Sequence, residues 1–131
     1  MLERLNQLEI NIIELEKFKS SYTVNNLKSD LQIQWTLRYG LLESIQIIID
    51  LACHLVAENN LGNPKSYSDC LEILMKENYL SHSLFNRLEG LAGLRNILVH
   101  EYISIDINKL YSLLNNLDDL RNFAKEIKPY L

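Results

Sequence analysis

Between Arg95 and Tyr102 the sequence reads RNILVHEY, which brings a guanidinium, an amide, an imidazole and a phenol into one short stretch. Arginine holds a phosphate through two parallel N–H donors and stabilises charge that develops on its oxygens. Histidine exchanges a proton near neutral pH, as base toward a ribose 2′-hydroxyl or as acid toward a leaving oxygen. Arg95 and His100 together therefore suit phosphodiester chemistry. Asn96 offers both a donor and an acceptor, to orient the phosphate or fix the ring of His100. Tyr102 follows His100 by two residues, and in an extended turn such residues face the same side.

On an uninterrupted helix Arg95 and His100 would point about 140° apart and fail to converge. The expectation is a fray or turn near Val99 that lets both enter one cleft, with Leu98 and Val99 anchoring the turn to the core. A histidine at a helix C-terminus also complements the helix dipole without any catalytic role, so the spacing fits a structural cap as well.

The elements that must position these groups are helical. A first helix is expected over Leu2–Ser20, its stripe formed by Leu5, Leu8, Ile12 and Leu15. After SYTVNN, a long second helix is expected from Asn26 to Asn59, apolar around nearly its whole circumference between Leu41 and Val56. Such a helix is central to the core, shared with a second subunit, or both. The run NNLGNPKS stops it, and Ser66 or Ser68 caps a short helix. Ser81 or Ser83 opens a fourth helix that carries the motif, where Gly90 and Gly93 would permit close approach of a neighbour. Asp106 caps the last helix, which runs toward Pro129. HEYISID, between the last two, is expected to be a tight extended turn, since no partner strand is apparent. The expected fold is all-α: an antiparallel bundle of four main helices and one short one, in a single domain over residues 1–131.

Composition limits the alternatives. The chain has 131 residues, of which 47% are hydrophobic, with only 4 glycines and 2 prolines, which favours long helices over a turn-rich β fold. Charges in MLERLNQLE leave no apolar signal region, and Ile45–Val56 is short for a bilayer span and contains Asp50, so a cytoplasmic protein without membrane association is expected. Cys53 and Cys70 fall in apolar helical patterns and are expected to be inert core thiols in a reducing compartment. Neither a metal site nor a cofactor is indicated. The net charge of −4 argues against a broad basic surface, so nucleic acid would need a local cluster, with His82, Arg87, Arg95 and His100 available. Asp50 and His54, one helical turn apart, either pair with each other or line the cleft. Arg38 and Tyr39 suit packing or surface contacts, and Trp35 a partly buried interface.

Arg95, His100 and Tyr102 match the Arg, four residues, His, any residue, Tyr signature, so RNILVHEY resembles the motif of the HepT toxins within the HEPN superfamily. RYGLLESIQIIIDLACHLVAEN resembles the long second helix of that family, and SYSDCLEILMKENYLSHSLFNRLEGLAGLRNILVHEY the segment leading into its motif. The resemblance implies a metal-independent endoribonuclease that acts on RNA as a homodimer, with motifs from both protomers bordering one cleft. It further implies a partner, a minimal nucleotidyltransferase antitoxin of the MntA type, that transfers AMP to Tyr102. Bulk and phosphate charge placed there would compete with RNA for Arg95 and His100. Two other readings stand beside it: a non-catalytic binding partner of a nucleotidyltransferase, which the acidic balance suits, and a bare dimerisation domain.

Overall fold

Asp30 turns a sequence pattern that looks like one long helix into two. Its backbone is extended, at φ −137° and ψ 110°, and its carboxylate accepts a hydrogen bond from the Gln32 N–H. Such a cap contributes about 1 kcal/mol to the helix it starts. The computed structural model describes residues 1–131. Its helices are α1 (Leu2–Ser21), α2 (Val24–Ser29), α3 (Leu31–Glu58), α4 (Tyr67–Lys76), α5 (His82–Leu88), α6 (Leu91–His100), α7 (Ile107–Ser112) and α8 (Leu117–Ile127). There is no β-strand, and the fold is the all-helical bundle expected from sequence, with more interruptions. The expected fourth helix breaks at Glu89 and Gly90 into α5 and α6, and the expected last helix contains a 3₁₀ turn over Leu113–Asn116. Ser66, Ser81 and Asp106 serve as the side-chain caps of α4, α5 and α7.

α3 and α4 end alike. Asn60 (φ 51°) and Asn78 (φ 63°) adopt the left-handed conformation that closes a Schellman motif. The amide of Leu61 donates to the Val56 carbonyl at 3.0 Å, and that of Tyr79 to the Leu74 carbonyl at 2.8 Å. Within the run NNLGNPKS, the stop signal after α3 is therefore Asn60.

α3 is the central element, packed against α1, α4 and α6, with Leu37, Leu41, Ile45, Ile48, Leu51, Leu55 and Val56 in the core. By length and composition it is apolar enough to cross a bilayer, yet here it forms the centre of the bundle. α1 approaches closely because Gly40 has no side chain: a β-carbon there would lie 3.2 Å from Leu15 Cδ2. α8 joins the other side of α1, where Arg121 meets Glu16 at 3.2 Å. Gly90 and Gly93, expected to admit a helix, have nothing within 4 Å of an added β-carbon, so neither serves close packing. Cys53 and Cys70 overturn the expectation of free thiols. They are joined in a disulfide across α3 and α4, with Cα atoms 5.1 Å apart. Each sits in its apolar pattern as expected, but sequence pattern does not report that the two stripes face each other.

Candidate active site

α6 presents the motif. Leu98 is buried and fixes the helix on the core, while Asn96 and His100 are exposed and Arg95 is half-buried against α3. Arg95 Nε donates to Gln46 Oε1 at 2.9 Å, and its Nη1 donates to the neighbouring Asn96 Oδ1 at 3.2 Å. Gln46 in turn donates from Nε2 to Asp50 Oδ1 at 2.8 Å. The other carboxylate oxygen of Asp50 faces Arg4 of α1 at 3.9 Å. Three helices thus hold one guanidinium, and Nη2 remains free to meet an anion. The Arg95 guanidinium also lies over the Tyr67 ring, 5.7 Å from its centroid, a cation–π contact with the start of α4.

His100 is placed otherwise. The helix does not fray near Val99 but continues through His100 to a cap at Glu101, whose amide donates to the Ile97 carbonyl. Arg95 and His100 consequently keep the roughly 140° separation of a regular helix, and one protomer does not bring them together. His100 makes no hydrogen bond or ion pair, so both ring nitrogens are open to solvent or to a ligand. The expected extended turn is also absent. Glu101 lies at φ −115° and ψ 34°, and the Ser104 amide closes a turn onto the Glu101 carbonyl at 3.2 Å. Tyr102, exposed at 56%, sits in that turn with the Arg38 guanidinium 5.9 Å from its ring centroid. Ile103, 90% exposed, stands beside it.

Asp50 and His54 do not pair. The partners of Asp50 are Gln46 and Arg4, and the half-buried His54 makes no hydrogen bond or ion pair with it. The expected cationic cluster is dispersed as well. Arg87 binds Asp119 at 2.5 Å, and His82 lines a separate recess with Tyr79, Glu126 and Tyr130. Tyr67 stands near Arg95 instead, and Lys65 lies with Tyr67 and Asn96 in the wall of one cavity. Gln46 is the residue sequence reasoning missed. Its signal is a polar side chain four residues before Asp50 in an otherwise apolar run, the i,i+4 spacing of a helical hydrogen-bonded pair. No group of three or more His, Cys, Asp or Glu side chains converges.

Comparison with known proteins bears on this arrangement. A family model described as ribonuclease HepT-like matches residues 8–127. The chain is 29% identical over 105 residues to the mRNA nuclease HepT of Shewanella oneidensis, covering 79% of each. In overall fold it resembles a tri-AMPylated HEPN toxin of Shewanella oneidensis solved in complex with an MNT antitoxin. The TM-score is 0.87 at 24% identity, over 98% of this chain and 96% of that one. It also resembles YutE of Bacillus subtilis, described as a cytosolic protein of unknown function. There the TM-score is 0.75 at 25% identity, over 96% and 89% of the two chains.

Proposed function

Because the chain belongs to the ribonuclease HepT-like family, we propose that it is a toxin endoribonuclease, cutting RNA without a metal ion through Arg95 and His100 at a homodimer cleft. The observation that carries this reading is the mounting of Arg95. Its guanidinium is held by Gln46 and Asn96 with Nη2 unpaired, an anion-binding group set in place before substrate arrives. In the reaction, the ribose 2′-oxygen attacks phosphorus and the 5′-oxygen leaves, which yields a 2′,3′-cyclic phosphate and a 5′-hydroxyl. His100 takes the 2′-hydroxyl proton while water protonates the leaving 5′-oxygen, or His100 protonates that oxygen while water takes the 2′ proton; Arg95 stabilises the phosphorane charge, and Asn96 supports Arg95.

The separation of Arg95 and His100 along α6 supports the dimer. Within one protomer the two groups face different directions, so a shared phosphate requires either a second copy or a rearranged helix end. The family relationship favours the second copy. Exposed Leu31, Trp35, Tyr39 and Ile97 supply apolar surface suited to an interface.

Regulation follows from Tyr102. A nucleotidyltransferase antitoxin of the MntA type would activate the Tyr102 hydroxyl to attack the α-phosphorus of ATP, with pyrophosphate leaving and AMP bonded to the phenolic oxygen. The attached phosphate would lie near Arg38 and repel RNA from the cleft. The proposed location is the cytosol, as for the similar YutE, where reducing conditions would act against the Cys53–Cys70 disulfide.

The test is cutting of RNA by purified protein in EDTA, with 2′,3′-cyclic phosphate ends on the products and loss of cutting in His100→Ala. Cutting that stops in EDTA would refute metal independence, and normal cutting by His100→Ala would remove that residue from the mechanism. Incubation with the nucleotidyltransferase and ATP should raise the intact mass by AMP units, and Tyr102→Phe should abolish the gain. One observation favours a second reading: the net charge of −4 suits a non-catalytic partner of the nucleotidyltransferase. That reading predicts no cutting of RNA by the wild-type protein.

A further inference from the structure

A cavity of about 660 Å³ opens beside Tyr67 and Asn96, between the α3–α4 loop and α6. Its walls include Lys65, Tyr67 and Ser68 on one side and Ala92, Gly93 and Asn96 on the other. The small residues of α6 keep it open, since a β-carbon on Gly93 would meet nothing within 4 Å. Tyr67 is the first residue of α4, held there by Ser66 as cap, and the residue is 46% exposed. The same ring that lines the cavity lies under the guanidinium of Arg95.

This juxtaposition has a consequence for whatever Arg95 binds. Arg95 touches two residues of that cavity, Tyr67 and Asn96, so an anion on its free Nη2 would lie close to an aromatic wall, a cation at Lys65, and polar groups. The Ser68 hydroxyl makes no hydrogen bond, and the Asn96 oxygen is occupied by Arg95 while its amino group is not. The nearby carboxylate of Asp69 is turned onto the Lys65 backbone amide at 2.9 Å. A flat heteroaromatic group tethered to a phosphate matches each feature: a face to stack, an edge to accept hydrogen bonds, and a negative charge beside it. The volume lies within the range of small-molecule sites and exceeds what one base needs.

We propose that this cavity is a nucleobase subsite, in which Tyr67 stacks the base of a nucleotide flanking the phosphate held by Arg95. The proposal rests on the ribonuclease reading for its substrate, and it assigns a specificity-determining role to Tyr67, Ser68 and the Asn96 amino group. Stacking makes the subsite tolerant of base identity, and the two polar groups favour bases with an acceptor on the edge facing them.

The test uses an RNA oligonucleotide that the protein cuts, blocked by a 2′-deoxy substitution at the cut site and labelled for fluorescence anisotropy. Tyr67→Ala should weaken binding about 5- to 100-fold, the range found for stacking on one aromatic, and Tyr67→Phe should bind as wild type. An abasic replacement at one of the two nucleotides flanking the cut should weaken wild-type binding by a similar factor and have no further effect in Tyr67→Ala. Abasic replacements that weaken both proteins equally, or wild-type protein that does not bind the RNA, would overturn the proposal. Circular dichroism of Tyr67→Ala separates lost binding from lost folding, and the abasic series in wild type reads the subsite without any protein variant. The ribonuclease reading stands or falls separately, on cutting of unmodified RNA by wild type and its loss in His100→Ala.

Discussion

Along α6, the first half and the end meet their surroundings in opposite ways. Arg95 is gripped from α3 by Gln46, which is itself fixed by Asp50 and, behind it, Arg4 of α1. His100 and Tyr102, beyond it in the chain, stand in solvent, with the Arg38 guanidinium near the Tyr102 ring. A group that stabilises charge in a transition state gains from being rigid before substrate binds, because no reorganisation is then needed. A proton carrier and a modification site gain from access instead. On the proposed reading, the pre-formed part of this site is the anion holder, and the acid–base part is completed by whatever approaches the exposed end.

His100→Ala tests the exposed end most sharply. Cutting of RNA should fall about 100- to 10,000-fold, the usual contribution of a general acid or base. The melting temperature should not move, since the ring is exposed and unbonded; a clear drop would show that this end is structural after all. Arg95→Lys strikes the anchored end. A lysine is a point charge without the fork, so kcat should fall about 100-fold, and a variant with full kcat would mean that charge alone suffices.

Gln46→Ala loosens Arg95 without removing it. A hydrogen bond to a charged group contributes roughly 1.5–3 kcal/mol, so a loss of about 10-fold in kcat is expected, with KM changed less. Asp50→Asn should act in the same direction and more weakly, because it touches Arg95 only through Gln46. Equal kcat in wild type and Gln46→Ala would dissolve the contrast between the two ends. The smallest effect on activity belongs to the disulfide. Closing a loop of 17 residues contributes roughly 3 kcal/mol. Reduction should therefore lower the melting temperature, as followed by calorimetry, and should change cutting less than any of the substitutions above.

Much of the frame was legible from short-range pattern. The stripe of Leu5, Leu8, Ile12 and Leu15 is buried in α1, and the dense apolar run from Leu41 to Val56 is the central helix. Ser66, Ser81 and Asp106 cap helices because their side chains reach backbone amides two or three residues on, an interaction the local sequence contains in full. What failed lay at the breaks. Asp30 and Gly90 divide helices whose apolar periodicity continues on both sides, and periodicity carries no record of a single interrupted turn.

The site divides along the same line. The sequence by itself determined that the chain is helical, that Leu98 faces the core, and that a guanidinium, an amide, an imidazole and a phenol share one segment; each of these depends on residues within a few positions of one another. Only the tertiary structure decided that Gln46, 49 residues before Arg95, would hold it, that Tyr67 would lie beneath it, and that Cys53 would face Cys70. It also decided that α6 would run unbroken through His100, turning the histidine away from the arginine it follows. Periodicity tells which face of a helix is buried, whereas the identity of the neighbour across that face is set by how the helices cross, and no single segment encodes it.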